Sequence, residues 1–224
     1  MSAQEQRAVA PGAGLSARRV VDEAIRLADR EGVAGLSMRR LAESLDAGAM
    51  SLYRYVANKG ELLNAMIDVV FAEIDLPPRD ADWRSAMRRE AMSARAALAR
   101  HPWAISLMES RTAPGPANLR HREAVTACLR RAGFSVRTAT HADWLLSSYV
   151  YGFVMQEASL PFDSADELAD MAEDVYLPQL PPEEFPYLHE SASELTAAGY
   201  DPAEEFLVGL DLVLDALETL RTSA

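Results

Sequence analysis

Apolar residues in this chain return every three or four positions, and the runs are bounded by helix starts and stops, not by strand-like alternation. Ser16 can cap a helix carrying Val20, Ala24, Leu27 and Ala28 on one face, and Gly32 ends it. A second short helix starts at Ser37 with Leu41, Ala42 and Leu45 as its apolar face. Asp46-Ala47-Gly48 reads as a tight turn, and a third short helix is expected over roughly Ala49 to Val56. Asn58-Lys59-Gly60-Glu61 has the form of a capping box, opening a long helix with Leu62, Leu63, Met66, Val69 and Val70. Leu76-Pro77-Pro78 stops it, because proline lacks the N–H that continues the ladder and disfavours helix before it.

Past that stop, helices are expected from about Ala81 to Arg100 and around Trp103 to Glu109. A break follows at Pro114-Gly115-Pro116, then a helix to Arg131 closing on Gly133. The stretch from about Ser135 to Ala158 is apolar nearly all round, so it must be covered on two sides. Leu160 to Tyr187, acidic and rich in proline, is the least ordered-looking part. Asp201-Pro202-Ala203-Glu204 starts a last helix strongly, with Phe206, Leu210, Val213, Leu214 and Leu217 as its core stripe. The fold class read from this pattern is all-α: three short helices in the N-terminal part and a larger helical part after the proline stop. The expected division is an arm over 1–14, the helix-turn-helix over 15–60, a connecting helix over 61–78 and the large domain over 79–224.

A chain of 224 residues can bury enough surface to fold without a staple. Cys128 is its single cysteine, so neither an internal disulfide nor a cysteine-based zinc site is possible. Met1 to Gly14 lacks the pattern of a signal peptide and no run is long enough for a membrane span, so a cytoplasmic location and no membrane partner are expected. The net charge of −12 argues at first against nucleic acid. Its distribution argues otherwise. Met1 to Gly60 holds nine basic and seven acidic residues, against thirteen and twenty-seven in the remainder. DNA can therefore be met through the head alone.

Two short helices joined by a three-residue turn make a helix-turn-helix, whose second helix enters the major groove. Leu41, Ala42, Leu45 and Leu52 would pack the motif. Arg39, Arg40, Ser51, Tyr53, Arg54, Tyr55 and Lys59 are left for its outer face, where such side chains suit phosphates and base edges.

The segment from Leu36 to Leu63 resembles the DNA-binding domain of the tetracycline-repressor (TetR) family on Leu52, Tyr53, Tyr55, Val56, Lys59, Leu62 and Leu63. Asp46 stands where that family often has glycine. Arg131 to Phe134 and Phe206 to Glu218 are similar to the ligand-binding domain of the same subgroup. The resemblance implies that Tyr53 and Lys59 hold phosphates, and that Arg39, Ala49, Met50, Ser51, Arg54 and Tyr55 face bases or backbone of double-stranded operator DNA. It also implies a homodimer, for which Tyr151, Met155, Phe206, Leu210, Leu214 and Leu217 are the expected interface. A small, largely apolar effector is expected against Met87, Glu90, Trp103, Met108, Trp144 and Tyr149. Met108 and Asp75 stand where tetracycline-binding relatives carry metal-and-drug histidines, so a magnesium–tetracycline complex is not the expected effector.

Enzyme readings fare poorly. Gly12-Ala13-Gly14-Leu15-Ser16-Ala17 has the dinucleotide spacing but no strand before it, and no phosphate loop or nucleophile elbow occurs. His101, His121, His141 and His189 lack zinc or di-iron spacing, and the carboxylates from Asp163 to Asp174 lack a calcium loop. No catalytic residue, metal or cofactor is expected. The alternative is a helical interaction module or ligand-binding protein without DNA binding.

Overall fold

A computed structural model of the chain describes residues 15–108, 113–162 and 165–222; the expected N-terminal arm, Glu109 and Asp163 lie outside the described residues. Among the described residues every regular element is helical.

The head is built from α1 (Ala17–Glu31), α2 (Met38–Ser44) and α3 (Ala49–Leu52), closed by the start of α4 (Lys59–Glu73). Each start is set by a side chain that satisfies an otherwise orphaned N–H. Ser16 Oγ accepts from Arg19 N at 3.2 Å, Ser37 Oγ from Arg40 N at 3.2 Å, and Asn58 Oδ1 from Glu61 N at 2.9 Å. Glu61 reaches back to the Ala57 N–H, completing a box around the first turn of α4. Gly32 ends α1 with φ of +73°, a backbone angle that a Cβ disfavours. The turn after α2 makes a similar demand, and Asp46 meets it at φ +50°. That accounts for an aspartate at a position its relatives often give to glycine, since Asp is among the few residues that tolerate the left-handed region. The third helix is shorter than its expected span to Val56. It closes after one turn at Leu52, and Tyr53 to Tyr55 continue as a tight turn in which Tyr55 N donates to Leu52 O at 2.9 Å. Leu52 and Val56 are both buried, and Val56 N still donates to Leu52 O at 3.1 Å, so the turn keeps the two on one inward face.

The body contains α5 (Trp83–Arg100), a 3₁₀ turn over Pro102–Ala104 leading into α6 (Ile105–Met108), α7 (Pro116–Arg131) and α8 (Val136–Glu157). It also holds α9 (Ala165–Met171), α10 (Pro186–Ala198) and α11 (Pro202–Thr222). Helix α5 lies against α4, α7, α8 and α11. Its buried face is rich in small side chains (Ala86, Ala91, Ala94, Ala97), which lets those neighbours approach closely. Asp82 and Ser135 cap α5 and α8, and Gly133 at φ +97° turns the chain between α7 and α8. The acidic stretch after Leu160 is more regular than its composition suggests. It carries α9, which runs on as a single π turn over Ala172–Tyr176, and α10 follows after Phe185. No side chain of α10 is buried, so it rides on the outside.

Candidate functional site

Leu41, Ala42, Leu45 and Leu52 are buried and hold α2 against α3, leaving the other side of the hairpin to solvent. Ala49, Met50, Tyr53, Arg54, Tyr55 and Lys59 are exposed, and Ser51 is half-buried. Met50 is 80% exposed, a level that no packing role accounts for. Arg39 is exposed too, with Nε donating to Glu43 Oε1 at 3.1 Å across one turn of α2. Such an exposed pair is worth at most about 1 kcal/mol, so a phosphate can displace the glutamate. Lys59 donates to the Leu36 carbonyl at 2.5 Å, tying the foot of α4 to the entry of α2. An ammonium carries three donors, and the remainder stay available to a second acceptor.

Head and body meet through a second cluster that the sequence reading did not assemble. Asp29, near the end of α1, accepts from Trp103 Nε1 at 2.7 Å and stands 2.7 Å from His101 Nδ1. On its far side His101 lies 3.3 Å from Glu73, at the end of α4, and Arg100 pairs with the same glutamate at 2.6 Å. The buried His101 and Trp103 thus clasp α1 and α4 together at the point where α5 ends.

Between α4, α5, α7 and α8 lies a narrow cavity of about 30 Å³, room for one or two waters, that opens to the surface. Phe71 and Ile74 from the end of α4 form one wall, and Val125, Leu146 and Val150 form another. Into this apolar space project Glu90 and His121, paired at 2.8 Å, together with Asp143, Ser147 and Tyr151. The His121 ring also packs on Phe71, centroid to centroid at 5.5 Å. Nearby, Asp68 of α4 accepts from the N–H groups of Ala117 and Asn118 at 2.8 and 3.0 Å, capping α7 in place of a local side chain. A Cβ on Gly115 would come within 2.3 Å of that carboxylate, so the close approach of α4 to α7 requires glycine there.

Of the residues expected to meet a ligand, Glu90 lines this cavity and the others are elsewhere. Met87 and Met108 are buried in packing, and Trp103 serves the clasp. Tyr149 stacks on Phe206 and donates to its carbonyl at 2.8 Å; burial pushes its phenol above the ordinary range. Trp144 is 66% exposed, on the side of α8 away from the core. His121, Asp143, Ser147 and Phe71 are among the cavity residues that sequence reasoning missed. The available signal was the helical spacing of Asn118, His121 and Val125, which puts a histidine on the inward face of α7.

The expected dimer residues require a correction. Phe206, Leu210, Leu214 and Leu217 are each at most 1% exposed within a single chain, so they form its core and have no surface left for a second copy. Tyr151 turns toward the cavity, while Met155 is exposed. The apolar surface left uncovered on these two helices includes Trp144, Leu145 and Met155 of α8 with Val208 and Leu212 of α11.

Comparison with known proteins supplies the context for this arrangement. The family model for bacterial regulatory proteins of the tetR family matches residues 20–66, and that for the tetracyclin repressor-like C-terminal domain matches residues 76–221. The HTH-type transcriptional repressor DrrR1 of Streptomyces coeruleorubidus is 34% identical over 218 residues, spanning 94% of this chain and 80% of the relative. The tetracycline repressor protein class A from transposon 1721, of Escherichia coli, is 31% identical over 92% of each chain. The crystal structure of the Streptomyces coelicolor TetR family protein ActR in complex with actinorhodin matches with a TM-score of 0.74 at 30% identity, covering 93% of this chain and 99% of that one. With both halves matched and full-length relatives above 30% identity, the chain belongs to the tetR family of bacterial transcriptional regulators.

Proposed function

We propose that the protein is a homodimeric repressor that holds a palindromic operator through its helix-turn-helix and releases it when a small organic effector fills the four-helix cavity. The observation that carries this reading is α4 itself. It begins at Lys59 beside the exposed recognition turn and ends with Phe71 and Ile74 in the cavity wall. Fifteen residues of helix span roughly 22 Å, so whatever shifts the cavity end tilts the head end as a rigid lever. Relatives support both halves: DrrR1 is named a repressor, and related structures carry actinorhodin and minocycline.

In the bound state Tyr53 and Lys59 grip phosphates, while Arg54, Tyr55, Ser51 and the apolar Ala49 and Met50 face base edges. Two copies joined through the exposed apolar faces of α8 and α11 present two such turns about one helical repeat apart. An effector that prefers the released spacing weakens operator binding, typically by about 5–150-fold, and DNA weakens effector binding by the same factor. Among the described residues no helix is long and apolar enough to cross a membrane, and we place the protein with its operator in the cytoplasm. Selection of bound genomic fragments by the purified protein tests the reading. Recovery of a palindrome whose binding is lost in Tyr53→Ala supports it; indifference to every duplex at low salt refutes it.

A further inference from the structure

A second cavity, of about 320 Å³, opens where the chain enters α5 and α7 ends, a volume within the range of small-molecule sites. Arg79, Asp82 and Trp83 line it from the α5 side, Cys128 and Arg131 from the α7 side. It begins one turn of α7 beyond Val125 and shares no lining residue with the four-helix cavity. Elsewhere in the body Arg84, Arg88, Arg95, Arg100 and Arg221 each pair with a carboxylate. Arg79 and Arg131 are exposed, and among the described residues neither has an ion pair or a hydrogen-bond partner. The carboxylate of Asp82 does not answer them, because it is committed to its own helix. Its Oδ1 accepts from the Arg84 and Ser85 N–H groups at 3.0 and 3.2 Å, and the Ser85 hydroxyl holds its carboxyl below the ordinary range. Trp83 is half-buried and packs edge-on against Phe134, centroids 5.1 Å apart, so its plane is held. Cys128 is 4% exposed, and burial pushes its thiol up despite the nearby Arg131, so it offers a neutral, apolar floor.

Two guanidinium groups without a counter-charge, beside a fixed indole and an uncharged floor, are complementary to one class of ligand. We infer that this cavity is a second small-molecule site, separate from the four-helix cavity, and that it takes an organic carboxylate: a flat apolar body against Trp83 and Cys128, its carboxylate held by Arg79 and Arg131. Guanidinium forks match the geometry of a carboxylate, and every bond between them is charge-assisted. A neutral ligand of the same shape keeps the indole contact and leaves both guanidinium groups in water, while a cationic one meets like charge. Water and salt reach both arginines, so the gain from charge is moderate and falls with ionic strength. Because the two arginines come from different elements, a bound carboxylate fastens the entry of α5 to the end of α7.

The full-length protein is titrated with naphthoate and with its uncharged isostere naphthamide by isothermal calorimetry at neutral pH. Naphthoate should bind about tenfold tighter, and the advantage should shrink as salt is raised. Replacing both arginines (Arg79→Gln with Arg131→Gln) should erase that advantage and leave naphthamide binding and the helical circular dichroism unchanged. Cys128 is the single thiol, so its alkylation by iodoacetamide reports on the cavity in the unmodified protein. Naphthoate should slow that reaction severalfold, and naphthamide at the same concentration should slow it less. Naphthamide binding as tightly as naphthoate overturns the inference. So does a naphthoate advantage that survives the double replacement, or naphthoate binding that leaves Cys128 alkylation unchanged. Absence of naphthoate binding by about 1 mM overturns it as well, and leaves standing the operator-release reading, which rests on the four-helix cavity.

Discussion

The clasp between head and body offers the sharpest test of how the two halves are joined. Asp29 Oδ1 takes hydrogen bonds from Trp103 Nε1 and from the His101 side, both at 2.7 Å. Trp103 and His101 are each 7% exposed, while the Asp29 side chain is 29% exposed. Asp29→Ala leaves the indole N–H buried without an acceptor, which costs about 1–3 kcal/mol, and it forfeits a charge-assisted bond to the imidazole worth a comparable amount. Water can reach the vacated side of α1 and recover part of this, so we expect a loss of about 2 kcal/mol, or roughly 4–8 °C in Tm for a chain of this size. Asp29→Asn keeps an acceptor for the indole and should lose about half as much. Trp103→Phe removes the donor and keeps most of the ring's packing.

Urea denaturation of the two single variants and the double variant, at one protein concentration, forms the deciding cycle. The Asp29–Trp103 coupling should be about 1 kcal/mol, because once the indole N–H is gone Asp29→Ala costs less. Effects that add within about 0.5 kcal/mol would refute the clasp as an energetic link. The same variants should also lose part of the effector's leverage over DNA. A head no longer fastened where α1, α4 and the end of α5 meet can keep its orientation when the cavity fills.

Three further outcomes are expected. Arg54→Ala should change which operator bases are preferred, whereas Lys59→Ala should weaken all sequences and lower the salt slope by about one, both readable in a titration of operator and random duplexes across salt. Gly115→Ala, whose Cβ would fall 2.3 Å from the Asp68 carboxylate, should destabilise the protein by about 1–3 kcal/mol, and pairing it with Asp68→Ala should remove only part of that added cost in urea unfolding, because the Asp68 Cβ itself would stand at 2.7 Å. Burial raises the phenol of Tyr149, so the folded state favours the protonated form; that stability is complete below the ordinary tyrosine value near pH 10 and lost as pH rises through the raised one, so Tyr149→Phe should flatten the alkaline limb of a stability profile.

The parts of the structure legible in the sequence are those decided within one turn of chain. Ser16, Ser37, Asn58 and Asp201 announce helix starts because a cap and the N–H it serves are two or three residues apart. The hairpin of α2 and α3 was readable for the same reason, since Leu41, Leu45 and Leu52 lie within a dozen residues. The core stripe of α11 was legible too: Phe206, Leu210, Leu214 and Leu217 stand at helical spacing and are buried. What the sequence did not separate is core from contact surface, since the same residues were also expected at the dimer interface. In α11 Val208 and Leu212 are 59% and 65% exposed, a second hydrophobic stripe on nearly the opposite side at about 100° per residue. Only the place of α8 and α5 against the first stripe leaves the second one open.

The cavity was hidden by distance in sequence as well as by orientation. Glu90 and His121 stand 31 residues apart and meet because α5 and α7 both pack against α4. Read alone, each resembles a surface residue on a charged helix, and the pair acquires chemistry only when apolar walls remove water from around it. The same helix that brings them together also carries Asp68 to the first turn of α7 and Glu73 to the His101 clasp. Two carboxylates on α4, five residues apart, therefore hold it to the body at both edges of the cavity, so a ligand cannot part α4 from α7 without loading one of these contacts. A sensor built this way moves its DNA-binding head by straining hydrogen bonds that already exist, and the strain each can carry, about 1–3 kcal/mol, matches the coupling that allosteric regulation requires.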